Sequence, residues 1–204
     1  MPKLLGGSGS YSNCWIEFPY QKHVPGLKYY YLILMGYHAG ALIVHFMHSK
    51  KNDFIEMGLH HIVTLQLIGG SYLINIWEIG AVIFLIHDFS DITISISKGL
   101  SQTVYQKITA VLFISNMGVW FYTRMVVFPY LIYIIFVSDV DCGWYLTRPT
   151  IGALLSCLFI LHCYWFVLFC KMVGNFAKTG AAEDIQNQTF VDKSKRDQEG
   201  VPSV

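Results

Sequence analysis

The chain has 204 residues, of which 54% are hydrophobic and only 13% are charged, and its formal net charge is +1. Soluble domains carry about 25% charged residues, so this composition excludes an ordinary soluble domain. The near-neutral charge gives no indication of nucleic-acid binding. With a mean hydropathy of +0.46, the sequence predicts an all-α, multi-pass membrane helical bundle, because backbone polar groups in lipid must be satisfied internally.

Five hydrophobic segments approach or exceed the roughly 20 apolar residues needed to cross a bilayer. They are residues 27–48, 55–76, 78–98, 107–137 and 150–174. The fourth is too long for one simple span, and Pro129 is predicted to end or kink it because proline removes a helical hydrogen bond. The segments define a transmembrane domain over residues 27–175, between an N-terminal segment 1–26 and a polar C-terminal tail 176–204.

Lysine and arginine residues in the loops predict the orientation, because they are enriched on the cytoplasmic side of membrane proteins. If the N-terminus lies outside, the inner side receives Lys50, Lys51, Lys98, Lys107, Lys171 and Lys178. The outer side receives Lys22, Lys28 and Arg148, with Asp139 and Asp141 beside the last. We therefore expect the first side to be the cytoplasm, or the matrix if the membrane is mitochondrial.

Ionisable residues interrupt the second and third segments at matching depths. His60 and His61 lie just over one turn into the second segment, whereas His87, Asp88 and Asp91 lie two to three turns before the end of the third. With a rise of about 1.5 Å per residue, both sets lie roughly 7–15 Å below the inner surface. An ionisable group at mid-bilayer costs on the order of 3 kcal/mol. We therefore expect antiparallel helices to bring these groups together as pairs or around a polar cavity.

Three interpretations of these residues are open. A structural network of His–Asp hydrogen bonds between helices would satisfy them without any reaction. A metal site is disfavoured, because the chain lacks the histidine-box spacing of membrane desaturases, although His38, His45 and His48 share one helix face. Acyl transfer is the third, because a neutral imidazole can attack a thioester or take a proton from an amine while a carboxylate fixes its tautomer.

The segment HHIVTLQLIGGSYLINIWEIGAVIFLIHDFSDITISISK resembles the signature of the ceramide synthases within the TLC-domain family. The matching positions, in register without a gap, are His60, His61, Thr64, Ser71, Tyr72, Asn75, Gly80, His87, Asp88, Ser90, Asp91 and Lys98. The stretches KNDFIEM, FYTRMVVFP and LHCYWFVLFCKM also resemble the family. The resemblance therefore extends over about residues 27–174.

The resemblance implies a ring of membrane helices around an acyl-chain tunnel. It also implies transfer of a fatty acyl group from acyl-CoA, as substrate, to the amine of a sphingoid base, with no metal or other cofactor. His60 would be the acyl-accepting or base histidine with Asp91 as its partner, and His61 and Asp88 would support the same site. Residues expected to bind substrate or surround these groups are Ser71, Tyr72, Asn75, His87 and Arg124. Arg124 would meet an anionic part of CoA or pair with a carboxylate. For Ser71 and Asn75, the alternative to a role in the site is ordinary interhelical hydrogen bonding.

The chain also departs from the family pattern. Glu78 stands where arginine is usual, and Ser95 stands where glutamate is usual. The family's first helices have no counterpart, so the sequence is interpreted as a short protein whose ring lacks one or two helices. The rival interpretation is a catalytically silent, lipid-binding TLC-like structural subunit of a large membrane complex, for example in mitochondria.

The C-terminal tail indicates protein partners. Residues 176–204 are too polar to fold alone, so we expect this tail to rest on a neighbouring chain in a larger membrane assembly. The resemblance implies the endoplasmic reticulum membrane, and the mitochondrial inner membrane is the alternative. Cys14 and Cys142 fall on the same outer side, where a disulfide could form in an oxidising compartment.

Overall fold

The computed structural model describes residues 20, 26–48, 53–101, 106–137 and 147–179. These ranges are helical apart from short caps and turns, and they contain no strand, which confirms the all-α prediction. The helices are α1 (Leu27–Met47), α2 (Phe54–Leu73), α3 (Trp77–Ser101), α4 (Gln106–Phe121), α5 (Phe128–Val137) and α6 (Thr147–Thr179), with a π-helical segment at Tyr122–Val127.

Some predictions lie outside the described residues. They concern the Cys14–Cys142 disulfide and the contacts of the polar tail beyond residue 179. The predicted N-terminal segment 1–26 also lies outside them, except for Tyr20 and Gly26.

The helices pack as a bundle in which α2 and α6 are central. The main contacts join α1 to α2, α2 to α6, α3 to α4, and α5 to α6. A large buried apolar cluster includes Ile68, Val127, Phe128 and Leu155. A second cluster lies between α4 and α6 and is formed by Trp120, Leu161, Trp165, Phe169 and Met172. The ring of His162 contacts Phe128 of the first cluster and Trp120 of the second, so the two clusters meet at this residue.

The fourth hydrophobic segment continues through Pro129 as one helical unit. The π-helical segment directly precedes this proline, and the N–H of Phe128 bonds to the carbonyl oxygen of Thr123, five residues earlier. A wider turn of this kind accommodates a proline, which cannot supply the usual helical N–H. The sequence predicted an end or a kink at Pro129; the helix does not end there, and its helix type changes directly before the proline. This change places Arg124 within the widened turn.

Three helical stretches of the described residues are long and apolar enough to cross a membrane. They are Leu27–Met47, Ile114–Phe136 and Arg148–Gly174. Helices α2 and α3 are 20 and 25 residues long, and the polar residues of the signature lower their hydropathy. Large apolar side chains such as Ile33, Phe89 and Ile160 are exposed on the bundle, as expected for a surface that faces lipid. The chain is therefore a multi-pass membrane protein.

Helix α6 begins against the C-terminal end of α5. Arg148 donates hydrogen bonds to the carbonyl oxygens of Ile135, at 3.0 Å, and of Phe136. These carbonyl groups belong to the last turn of α5, where no later N–H group of the helix is available to bond to them. Gly152 lies so close to the Phe136 ring that a Cβ atom at this position would overlap it. These contacts fix the register of α6 and hence the positions of its functional side chains.

Candidate functional site

The two adjacent histidines of α2 point in different directions. The ring of His60 is buried, with only 9% exposure, and makes an edge contact with the ring of Trp165 on α6, at 5.3 Å between centroids. The ring of His61 lies against α1, with centroids 5.8 Å from His38 and 6.2 Å from His45, whereas the ring of His60 is 6.4 Å from His38. His60 is therefore the member of the pair that faces the interior of the bundle.

A buried guanidinium organises the polar residues of α3 and α6. Arg124 is 2% exposed and donates hydrogen bonds to Ser90 Oγ at 2.9 Å, to the His87 carbonyl oxygen at 3.1 Å and to His162 Nε2 at 2.7 Å. It also forms an ion pair with Asp91 Oδ1 at 2.6 Å. We call these residues the Arg124 cluster: Arg124, His87, Ser90, Asp91 and His162.

The neighbours of His87 and His162 determine their tautomers. Arginine only donates, so His162 Nε2 is the acceptor in its bond with Arg124, and the hydrogen of His162 lies on Nδ1. His87 Nδ1 lies 2.7 Å from the carbonyl oxygen of Ile83, which only accepts. The neutral His87 ring therefore carries its hydrogen on Nδ1 and has a bare Nε2. The two rings are 5.0 Å apart, and both His162 Nδ1 and His87 Nε2 are buried without a protein partner.

Trp165 connects His60 to the Arg124 cluster. Its ring centroid lies 5.3 Å from that of His60 and 6.3 Å from that of His162.

Polar atoms without a protein partner are concentrated in this part of the bundle. They are Nδ1 of His38, His60, His61 and His162, Nε2 of His87, Oγ1 of Thr64 and Nε1 of Trp165. Buried polar atoms normally have partners, so this region is suited to a polar ligand group.

The two carboxylates of the signature have partners on different helices. Asp91 pairs with Arg124 while its side chain remains 56% exposed. Asp88 accepts a hydrogen bond from the Tyr30 hydroxyl of α1, at 3.2 Å. Of the two alternatives for Arg124, the structure shows pairing with a carboxylate. A direct bond between His60 and Asp91 stays a prediction.

Ser71 and Tyr72 lie toward the opposite end of α2. The hydroxyl of Ser71 contacts that of Tyr31 at 3.4 Å, and Tyr31 donates to the carbonyl oxygen of Trp77 at 3.0 Å. The Tyr72 ring packs against Tyr31 at 5.7 Å. A Cβ atom on Gly80 would overlap the Tyr31 hydroxyl and crowd Ser71. These residues hold α1, α2 and α3 together about 16 Å along α2 from His60.

Asn75 ends α2 through its backbone conformation. Its φ of 60° is left-handed, which asparagine tolerates better than most residues. The N–H of Ile76 bonds to the Ser71 carbonyl oxygen at 3.0 Å, and the N–H of Asn75 bonds to that of Tyr72 at 3.4 Å. This pair of bonds is the Schellman arrangement that closes a helix C-terminus.

We expect Asn75→Gly to leave the free energy of unfolding within about 0.5 kcal/mol of wild type, and Asn75→Ala to lower it by about 1 kcal/mol, because glycine adopts a positive φ readily and alanine does not. Unfolding of the purified protein with denaturant would measure both. A large loss in Asn75→Gly would contradict this account and would indicate that the amide side chain is needed.

Two residues of α6 that belong to the site, His162 and Trp165, were not predicted from the sequence. His162 is not among the predicted site residues, yet it is fully buried in the Arg124 cluster. Trp165, three residues later, was not considered as a site residue. The stretch LHCYWFVLFCKM contains both residues and resembles the family outside its main signature, so this resemblance could have identified them.

An apolar cavity of about 30 Å³ lies between α2, α3, α5 and α6, where Ser71 and Gly80 are among its lining residues and those of the Arg124 cluster are not. Its lining includes Ile83, which is one helical turn before His87, together with Leu67, Phe84 and Leu155. This volume holds about one water-sized group and is far too small for a fatty acyl chain. In the described part of the chain, no group of three or more His, Cys, Asp or Glu side chains is placed to hold a metal ion.

Comparison with known proteins gives the same family as the signature. The family model for the TLC domain matches residues 4–171. The chain is 35% identical to ceramide synthase 4 of Mus musculus over 190 residues, which is 92% of this chain and 48% of that protein. It is 30% identical to ceramide synthase 5 of Homo sapiens over 161 residues, or 78% of this chain and 41% of that protein. It is also 30% identical to a sphingosine N-acyltransferase of Schizosaccharomyces pombe over 172 residues, or 78% of this chain and 44% of that protein. The chain thus spans about half the length of the curated relatives it matches.

Proposed function

Because the chain belongs to the TLC-domain family, we propose that it carries the acyl-transfer site of a ceramide synthase-like enzyme. The reaction joins the fatty acyl group of an acyl-CoA thioester to the amine of a sphingoid base. The names of the relatives, which are ceramide synthases and a sphingosine N-acyltransferase, support these substrate classes. The family resemblance also makes the endoplasmic reticulum the proposed membrane.

The observation that carries the proposal is the environment of His60. Its ring is buried between α2 and α6, and its Nδ1 atom has no protein partner. A histidine that only stabilised the bundle would be expected to bond to a neighbouring helix, because an unpaired buried polar atom costs roughly 1–3 kcal/mol. A neutral imidazole with an unpaired nitrogen is what a base or an acyl acceptor requires.

Two balanced routes use this nitrogen. In the first, the sphingoid amine attacks the thioester carbonyl carbon, His60 takes the proton that the amine loses, and CoA leaves as a thiolate that receives this proton. In the second, His60 attacks the thioester, CoA leaves, and the amine then displaces the imidazole from the acyl group. Both routes convert one thioester and one amine into one amide and one thiol.

The carboxylates and Arg124 have supporting roles in this proposal. Asp91 neutralises the guanidinium of Arg124, which in turn holds His162 and the backbone at His87. Asp88 ties α3 to α1 through Tyr30. His61 faces α1, where its ring lies close to that of His38. We propose that these contacts fix the helix rotations that direct His60 toward α6.

An amide-formation assay tests the function. The purified chain in lipid vesicles would be incubated with deuterated sphinganine and saturated acyl-CoAs of increasing length, and N-acyl products would be measured by mass spectrometry. We expect deuterated ceramide and free CoA in equal amounts. N-acetylsphinganine, whose amine is blocked, is the matched substrate control and should give no N-acyl product.

A negative result would be informative in two ways. If membranes that contain the chain form ceramide but the purified chain does not, the site requires a partner or a lipid that purification removes. If neither preparation forms amide with any acyl-CoA while the helical content is unchanged, the enzymatic proposal is wrong. The catalytically silent structural subunit would then be the better interpretation.

A further inference from the structure

Two side chains of α6, those of His162 and Trp165, each carry a buried N–H group that has no protein acceptor. His162 and Trp165 are three residues apart and share one helix face, with ring centroids 6.3 Å apart. Both side chains are more than nine-tenths buried, at 0% and 7% exposure. His162 Nδ1 and Trp165 Nε1 are each buried without a hydrogen-bond partner.

Both atoms are donors. Indole nitrogen only donates. Arg124 donates to His162 Nε2 at 2.7 Å, so the hydrogen of this ring is held on Nδ1. The positive charge of the guanidinium beyond Nε2 also makes the Nδ1–H group a stronger donor.

The two donors lie beside the proposed reacting histidine. The Trp165 ring contacts that of His60 at 5.3 Å, and His60 Nδ1 is itself without a protein partner. A carbonyl carbon positioned at His60 would therefore have its oxygen close to this face of α6. The nearby His87 Nε2 is an acceptor, and its ring is 5.0 Å from that of His162, so it does not compete for the same oxygen.

We propose that His162 Nδ1–H and Trp165 Nε1–H bind the acyl carbonyl oxygen and stabilise the oxyanion formed from it. This inference rests on the proposed function and adds two catalytic residues outside the main signature. When a nucleophile attacks the carbonyl carbon, the π electron pair moves to oxygen, and the oxyanion accepts both hydrogen bonds. Neither donor transfers its proton. The electron pair on oxygen forms the carbonyl π bond again when the carbon–sulfur bond breaks and CoA leaves as thiolate.

Two substitutions remove one donor each. In His162→Gln, the side-chain amide reaches the position of Nε2, where its oxygen can still accept from Arg124, but the Nδ1 donor is lost. Trp165→Phe removes the indole N–H and keeps an aromatic ring beside His60. The matched control is Trp77→Phe, which makes the same chemical change at the first residue of α3, where the indole ring packs against Tyr72, 5.7 Å away, and not against His60.

We expect His162→Gln and Trp165→Phe each to lower kcat by about 10²-fold, the usual effect of removing one oxyanion donor. The KM for acyl-CoA should change less than kcat, because the bonds to the oxyanion are stronger than those to the neutral carbonyl oxygen. Trp77→Phe should leave both constants within about twofold of wild type. His162→Asn, whose amide nitrogen replaces Nδ1, should retain more activity than His162→Gln while losing stability, because Arg124 then loses the acceptor at the position of His162 Nε2.

Infrared spectroscopy gives a readout that does not require turnover. The carbonyl stretch of palmitoyl-CoA labelled with ¹³C at the carbonyl carbon would be measured bound to each protein without the amine. We expect a shift to lower frequency in wild type and in Trp77→Phe, and a smaller shift in His162→Gln and Trp165→Phe. If the shift is lost in the variants but wild type forms no ceramide, the carbonyl site stands and the proposed function fails.

Three results would overturn the inference. One is an unchanged carbonyl shift and unchanged kcat in both His162→Gln and Trp165→Phe, which would leave the proposed function intact. Another is a rate loss that matches a loss of folded protein in thermal unfolding, with the carbonyl shift unchanged, because this would assign His162 and Trp165 a packing role. Absence of any shifted carbonyl in wild type would also overturn it.

Discussion

Replacing Arg124 by methionine is expected to lower the free energy of unfolding by about 3–5 kcal/mol, a cost typical of breaking a buried polar cluster by removing one partner. Methionine approximates the length of the arginine stem but cannot donate. His162 Nε2 would lose its donor, which leaves a buried acceptor unsatisfied at a cost of roughly 1–3 kcal/mol. The His87 carbonyl oxygen and Ser90 Oγ would each lose a charge-assisted bond worth roughly 1.5–3 kcal/mol and keep the bond between them. The Asp91 side chain is 56% exposed, so its freed charge is solvated and adds little.

Arg148→Met is the matched control for Arg124→Met. Arg148 also donates to two backbone carbonyl oxygens, but it does so at the exposed end of α5. Water can replace these bonds, so we expect a loss of less than about 1 kcal/mol. Denaturant unfolding in mixed micelles would compare both variants with wild type. Equal losses in the two variants would mean that the Arg124 cluster contributes no more to stability than a surface arginine does.

Hydropathy predicted the helices well because lipid permits few alternatives to a helix. The five predicted segments correspond to the observed helical units within a few residues, apart from the extension of α6 at both ends. The π-helical turn before Pro129 was not predictable, because a proline is compatible with a kink, an end or a wider turn. Which of these forms depends on packing around Val127 and Phe128, which are fully buried in the main apolar cluster.

Helix geometry predicts the depth of a residue in the membrane but not the direction in which it faces. Rise per residue predicts that His60 lies level with the polar residues of α3, and this needs only the helix geometry. Which face of α2 points inward depends on side-chain packing from α1 and α6, and this packing directs His60 toward Trp165 and His61 toward His38. His162 could not be found from spacing along the chain, because Arg124 joins it to α3 only in three dimensions.

His60→Asn is expected to reduce the rate of amide formation by at least about 10³-fold while leaving the helical bundle folded. General acid–base catalysis by a positioned side chain contributes roughly 10²–10⁴-fold, and loss of an acyl acceptor would cost more. Asparagine retains a polar group near the position of Nδ1 and has a smaller volume than histidine. Because His60 Nδ1 has no protein partner, the substitution breaks no hydrogen bond of that atom, and the loss of ring packing is its main structural effect.

Two further histidines provide the comparison for His60→Asn. His48→Asn alters an exposed ring whose Nδ1 bonds within its own helix, to the Val44 carbonyl oxygen at 2.9 Å, so its rate should equal that of wild type. His61→Asn should lower the rate less than His60→Asn, because His61 faces α1 and not α6. Intact-protein mass spectrometry after mixing wild type with acyl-CoA alone would distinguish the two routes. An added acyl mass that is absent from His60→Asn identifies His60 as the acyl acceptor. If wild type gains no mass, His60 acts as the base. If His60→Asn retains the rate of His48→Asn, His60 is not the reacting group, and the unpaired His87 Nε2 would be the next candidate.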